Sequence, residues 1–199
     1  MPISLISCIG KLAERVENNR LYWYLEKSKT LNQHQAGFRK GGCTEDQLFK
    51  LTQDIQVNFQ EGKSTVTIFL DLQQSYDRVW RKGLLKKMTN LRVHGKIYKW
   101  IKSFLIDRNI ETKISNAFSS REVLEERPPI GGFMSELHSS LFLVFSNGVT
   151  VTLKAEKTLY ADNLALWQTH TKAAVSVAKL NCDLEKVNNY CQKWKPHYE

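Results

Sequence analysis

Two segments place an acid where a strand should run out. TIFLDL carries an apolar, β-branched run to Asp71, and TLYADNLALW sets Asp162 between two short apolar runs, with Asn163 beside it. A carboxylate in such a place is costly unless something compensates it. For either acid alone, a salt bridge or a strand-end cap is sufficient. Two such acids in one chain open a second reading. Carboxylates brought together repel unless cations bridge them, and magnesium takes oxygen ligands, using one or two carboxylates plus substrate phosphates. Two such ions about 4 Å apart activate an attacking oxygen and stabilise a leaving one in phosphoryl transfer. The spacing permits this chemistry if the strands of Asp71 and Asp162 are neighbours in one sheet.

The elements needed to position the acids are legible. Ser64–Leu72 reads as a strand. Lys157–Tyr160 and Leu164–Trp167 read as short strands around Ala161, Asp162 and Asn163. Ile9–Glu26 reads as a helix with apolar Ile9, Leu12, Ala13, Val16, Leu21 and Tyr24. Asn32–Gly42 is a polar loop bearing Arg39 and Lys40. Thr44 and Gln47 form a capping-box pattern opening a helix with Leu48, Leu51, Ile55 and Phe59 on one face. Helical patterns return at Trp80–Leu91, Lys96–Ile106 and Leu137–Phe145. Glu111–Ser115 and Arg121–Glu126 read as strands flanking a turn at Asn116–Ser120, and RPPIGGF as a loop. The last helix has the clearest period, with Val177, Leu180, Leu184, Val187, Cys191 and Trp194 three and four apart. The fold class is α+β or α/β.

The totals narrow the partners. The chain has 199 residues, enough for one domain or a domain with a sub-lobe, and a net charge of +9. That charge fits a polyanion such as nucleic acid, and equally a lysine-rich surface. Cys8, Cys43, Cys182 and Cys191 form no CxxC pair and the histidines form no HExxH, which argues against a zinc site. Cysteines without a framework fit a reducing compartment. No apolar run nears the roughly 18 residues of a membrane span, and the N-terminus lacks a signal-peptide pattern. An intracellular location, nucleus or cytoplasm, is expected, with no membrane and no stable protein partner.

Five segments, in order, resemble the reverse transcriptase domain of non-LTR (LINE-type) retrotransposons, especially the Jockey-like group. PISLISCIGKLAERVENNRL resembles that family's opening helix and LNQHQAGFRKGGCTEDQL its fingers motif around GFR. TIFLDLQQSYDRVW resembles the first catalytic motif, FLDLxxAFDxV, and TLYADNLALW the second, YADD. LEKVNNYCQKW resembles the helix that follows.

The resemblance implies an α+β right-hand polymerase: an antiparallel palm sheet backed by helices, with about 1–62 fingers-like and about 63–199 palm-like. It implies RNA-directed DNA synthesis for a mobile element, acting on an RNA template, a DNA primer and deoxynucleoside triphosphates with two magnesium ions. Asp71 and Asp162 would be catalytic metal ligands, with the Leu72 carbonyl as a further ligand. Tyr76 would exclude a 2′-hydroxyl beneath the incoming sugar; its other reading is a core aromatic. Arg39 and Lys40 fall where fingers residues approach the triphosphate, or are simply exposed loop charge. Asp77 is assigned a structural role, capping the next helix.

Three departures from the family pattern lead to an expectation of impairment. Asn163 replaces the second acid of YADD, keeping shape and a carbonyl oxygen but losing a charge. In the loop usually written GLPQGSxLSP, Pro129 and Gly131 are kept, the latter a substrate-binding position, but Ile130 stands where glutamine is usual. Ile130 cannot make an amide's hydrogen bonds, and Glu136 adds negative charge near a polyanion. The chain stops before the family's next strand and thumb. The expectation is thus a degenerate, truncated polymerase domain. The alternative is a catalytically inactive nucleic-acid-binding relic of it.

Overall fold

The computed structural model describes residues 7–71, 79–106, 109–123 and 136–194. Among these, the helices are α1 (Cys8–Lys27), α2 (Thr44–Gln60), α3 (Arg81–Asn90), α4 (Gly95–Leu105), α5 (Glu136–Ser146) and α6 (Ala173–Trp194). The strands are β1 (Ser64–Asp71), β2 (Asn109–Ile110), β3 (Lys113–Ile114), β4 (Ala117–Phe118), β5 (Glu122–Val123), β6 (Glu156–Tyr160) and β7 (Asn163–His170). The chain is α+β and forms two compact units, Leu31–Ser75 with Ser146–Glu199, and Met1–Thr30 with Tyr76–Phe145.

The first of these units holds an antiparallel sheet in the order β1-β7-β6. Side chains alternate across it. Val66, Ile68 and Leu70 of β1, Leu164 and Leu166 of β7, and Leu159 of β6 meet Leu180, Leu184, Val187 and Cys191 of α6. The periodic stripe of the last helix is therefore core, although Val177 at its start is exposed. Burying each large aliphatic side chain contributes about 1.5–3 kcal/mol. Asp183 fixes α6 to the chain entering β6: one carboxylate oxygen accepts from the backbone N–H groups of Lys154 (2.9 Å) and Ala155 (2.7 Å), and the other from Lys186 (2.6 Å).

The opposite face of the sheet takes α2, and here two expectations are corrected. Leu51 packs on Ala165 and Trp167, but Leu48, Ile55 and Phe59 are exposed. The inward face of α2 is polar because the sheet offers it polar groups. The Trp167 indole N–H donates to Asp54 (3.0 Å), the Thr158 hydroxyl donates to Gln47, and Lys50 lies near Glu156 (3.7 Å) and over the Trp167 ring. Gln47 is thereby drawn away from the expected capping box. The N-cap is Cys43, whose sulfur accepts from the Asp46 N–H, and Thr44 is already helical.

In the other unit, α1 is capped by Ser7, whose hydroxyl accepts from the Gly10 N–H (3.1 Å). Its expected core face is also corrected. Leu21 and Leu25 are buried, but so are Glu14 and Asn18, while Ile9, Leu12 and Val16 are exposed. Tyr24 donates to the carbonyls of Leu91 (3.2 Å) and Arg92 (2.9 Å), tying α1 to the end of α3. Gly83 lies where a Cβ would strike the Trp80 ring at 2.3 Å. α5 is apolar from Leu141 to Phe145, and these residues are buried together with Leu137, His138 and Ser140. The buried Lys87 ammonium reaches the Phe145 carbonyl near its C-terminus, the end a cation favours. Of the expected strands at Glu111–Ser115 and Arg121–Glu126, residues 124–126 lie outside the described residues; within the rest fall β3 and β5, which join β4 and β2 in two nested antiparallel pairs, β2 with β5 and β3 with β4. The tight turn falls at Ser115 (φ 53) and Asn116, so Asn116–Ser120 is not the loop.

Candidate functional site

The condition set by the two acids is that their strands be neighbours, and they are. β1 pairs with β7 so that Asp71 stands opposite Asn163. β6 pairs with β7 so that Tyr160 also stands opposite Asn163, which leaves Ala161 and Asp162 as a two-residue hairpin turn. Asp71 closes one strand, and Asp162 immediately precedes the residue facing it. By strand alternation Asp71 and Asn163 belong to the sheet face that carries α2.

Burial does not compel this placement, contrary to the cost argument made from sequence. Asp71 and Asn163 are exposed and Asp162 is half-buried. Position does the work instead: the strand register delivers both acids to one end of one sheet.

The turn is held from outside. Ala161 has φ 56, at the turn position where a II′ hairpin favours glycine. For an alanine that conformation costs about 1–2 kcal/mol. Gln35, buried, compensates. Its amide N–H donates to the Ala161 carbonyl (3.0 Å), and its amide oxygen accepts from the N–H groups of Ala161 (3.0 Å) and Gly37 (2.9 Å). Residues 34–36 run beside β6: the Leu159 N–H donates to the His34 carbonyl (2.8 Å), and the Ala36 N–H to the Leu159 carbonyl (2.9 Å). Gly37 lies against the turn itself, where a Cβ would come within 2.1 Å of the Ala161 nitrogen. Sequence reasoning missed both Gln35 and Gly37. The glycine of the GFR segment was the available signal, but nothing local says which backbone it approaches.

The same loop carries Arg39 and Lys40. Arg39 is half-buried, and its guanidinium donates to the carbonyls of Asn32 (3.1 Å) and Gln35 (3.4 Å), so part of its hydrogen bonding braces the loop. Lys40 is exposed. His34 is held below the usual imidazole value, first by burial and then by the Lys157 and Lys50 cations, with Glu156 opposing them. Leu72, Tyr76, Asp77, Pro129, Ile130 and Gly131 lie outside the described residues.

Among the described residues no three His, Cys, Asp or Glu side chains are grouped to hold a metal ion. What this end of the sheet offers is two carboxylates and an amide oxygen, all hard donors. That is a set magnesium accepts when phosphates and water complete its shell. No helix among the described residues is long and apolar enough to cross a membrane.

Known proteins resemble the chain throughout its length. It is 32% identical over 198 residues to the probable RNA-directed DNA polymerase from transposon BS of Drosophila melanogaster, covering 97% of this chain and 22% of that protein. It is 28% identical over 198 residues to the RNA-directed DNA polymerase from mobile element jockey of Drosophila funebris, again covering 97% and 22%. The Drosophila melanogaster jockey polymerase is 29% identical over 201 residues with the same coverage. The chain thus spans about a fifth of the length of the curated relatives it matches. The family model described as reverse transcriptase (RNA-dependent DNA polymerase) matches residues 1–197, and the chain belongs to that family, as a reverse transcriptase domain related to those of non-LTR retrotransposons.

Proposed function

We propose that this chain is the RNA-directed DNA polymerase domain of a mobile element, with its catalytic site at Asp71 and Asp162 and with activity reduced by Asn163 and by the loop containing Ile130. One observation carries the reading: the β1–β7 register sets Asp71 opposite Asn163, next to Asp162. Asp71 and Asp162 would hold divalent magnesium, with the Leu72 carbonyl as a further ligand. Bound there, magnesium supplies charge stabilisation for the attacking and leaving oxygens of nucleotidyl transfer. The chain's own part is to fix the two carboxylates, which Gln35 and Gly37 support by bracing the turn. Tyr76 would face the incoming sugar, and Arg39, Lys40 and Gly131 would approach the nucleotide. In this reading about 1–62 form fingers and about 63–199 a palm, and the partners are an RNA template, a DNA primer and deoxynucleoside triphosphates.

Primer extension on a homopolymer RNA template, with and without magnesium, tests it. Weak extension that requires magnesium and disappears in Asp71→Ala is expected. The second reading is an inactive nucleic-acid-binding relic, favoured by the lost charge at Asn163 and the net charge of +9. Salt-dependent RNA binding with no extension under any condition would select it.

A further inference from the structure

The outer face of α1 carries a second apolar seam. Ile9, Leu12, Val16 and Trp23 are 82%, 64%, 44% and 60% exposed. Their spacing of three, four and seven is that of the a and d positions of a heptad, with Asn19 and Glu26 at the intervening d positions. The buried side of the same helix is partly polar. Among the described residues, both carboxylate oxygens of Glu14, one of Glu17 and the amide oxygen of Asn18 are buried and find no hydrogen-bond partner. The first half of α1 therefore turns apolar side chains outward and acceptors inward, the reverse of a helix that only serves its own core.

We propose that this seam docks an amphipathic helix with acidic flanks, supplied by another polypeptide. The shape argues for a helix. An a/d seam of this kind is narrower than the apolar face by which a helix lies on a core or a membrane. Two d positions of the seam are polar, Asn19 and Glu26, and polar residues at such positions fix the register of a helix pair. The charge argues for the partner. The positions flanking the seam are Cys8, Ala13, Arg15, Arg20, Tyr22 and Lys27, so every charge among them is positive. Lys27 sits 4.5 Å over the Trp23 ring, and the exposed Arg20 reaches the mostly buried Glu17 at 3.0 Å. A second copy of α1 would bring arginine against arginine in either orientation. A helix with glutamate at its flanking positions would pair with them.

The test uses the full chain and designed peptides of about three heptads, long enough to span the seam. Both have leucine and isoleucine at a and d; one has glutamate and the other lysine at the flanking positions. Each is dye-labelled and titrated by fluorescence anisotropy. The glutamate peptide is expected to bind, more weakly as salt rises, and at least about tenfold more tightly than the lysine peptide. Leu12→Glu and Val16→Glu are expected to abolish that binding while leaving the thermal melt unchanged. Equal binding of the two peptides, or binding of neither, would overturn the proposal. So would loss of the cooperative melt in both variants, since the seam would then be packed within the chain. A dimer by sedimentation that Val16→Glu dissolves would assign the seam to a second copy instead. Binding to phosphatidylserine vesicles that Val16→Glu removes would assign it to a membrane surface. No readout here depends on polymerase activity, so the outcome is independent of the proposed function.

Discussion

Asn163 faces Asp71 across two strands, both exposed. An aspartate at 163 would set carboxylates directly opposite each other. Like charges so placed destabilise a sheet by about 0.2–1 kcal/mol unless a cation lies between them. The amide therefore relaxes the metal-free sheet. Asn163→Asp is expected to lower the melting temperature in chelator and to recover it in magnesium, measured by circular dichroism. Ala161 makes an opposite prediction one position before the acid. Relief of its positive φ outweighs the added freedom of the unfolded chain, so Ala161→Gly should raise stability by up to about 1 kcal/mol. Gln35→Ala should lower it by about 2–3 kcal/mol, because it strands the Ala161 and Gly37 backbone groups it now satisfies. Urea titration measures both changes.

At the scale of elements, three polar anchors hold helices and loops to the sheet, and Asp183 and His34 among them have pKa values displaced from the usual ones. Burial raises the Asp183 carboxyl, but the Lys186 ammonium and the Ala155 and Lys154 N–H groups outweigh it and hold the value below the usual 3.8. Its contribution is present above that value and is lost as pH falls through the lower folded one. His34 is lowered from 6.5, so the unfolded chain binds its proton more readily. Stability is therefore intact above pH 6.5 and falls as pH drops through that value toward the folded one. In stability against pH, His34→Gln should flatten the drop just below neutrality and leave the acid limb, and Asp183→Asn should flatten the acid limb. The third anchor, Asp54 on Trp167, explains a misreading of α2. The apolar period of Leu48, Ile55 and Phe59 looked like a core face, yet the sheet presents an indole N–H and a hydroxyl, and these recruit Asp54 and Gln47. α1 misled for a related reason: it has apolar residues on two sides, and periodicity cannot say which side is inside. The short nested strands β2 to β5 were misplaced because two-residue pairings leave almost no pattern to read. β1 and α6 were legible because their inward apolar residues alternate by two, or by three and four, and the polar Asp183 of α6 does not interrupt that period.

At the scale of the whole molecule, the resemblance carried by five ordered segments is borne out by family membership over residues 1–197. Asp71 and Asp162 were legible as acids at strand ends from residue type and position. Their arrival at one end of one sheet was not, because strand order and register are set by the sheet's core and not by the acids themselves. The bracing by Gln35 and Gly37 was illegible for the same reason: a loop residue and a turn 126 positions apart show no common pattern until the edge of β6 joins them. Magnesium affinity is where register and chemistry meet. Isothermal titration of the metal into the wild-type chain, Asn163→Asp and Asp71→Ala tests the assignment most directly. If Asp71, Asp162 and position 163 share one site, Asn163→Asp should bind roughly tenfold more tightly than wild type as the ligand charge rises, and Asp71→Ala should lose binding. Identical affinities in all three proteins would contradict it.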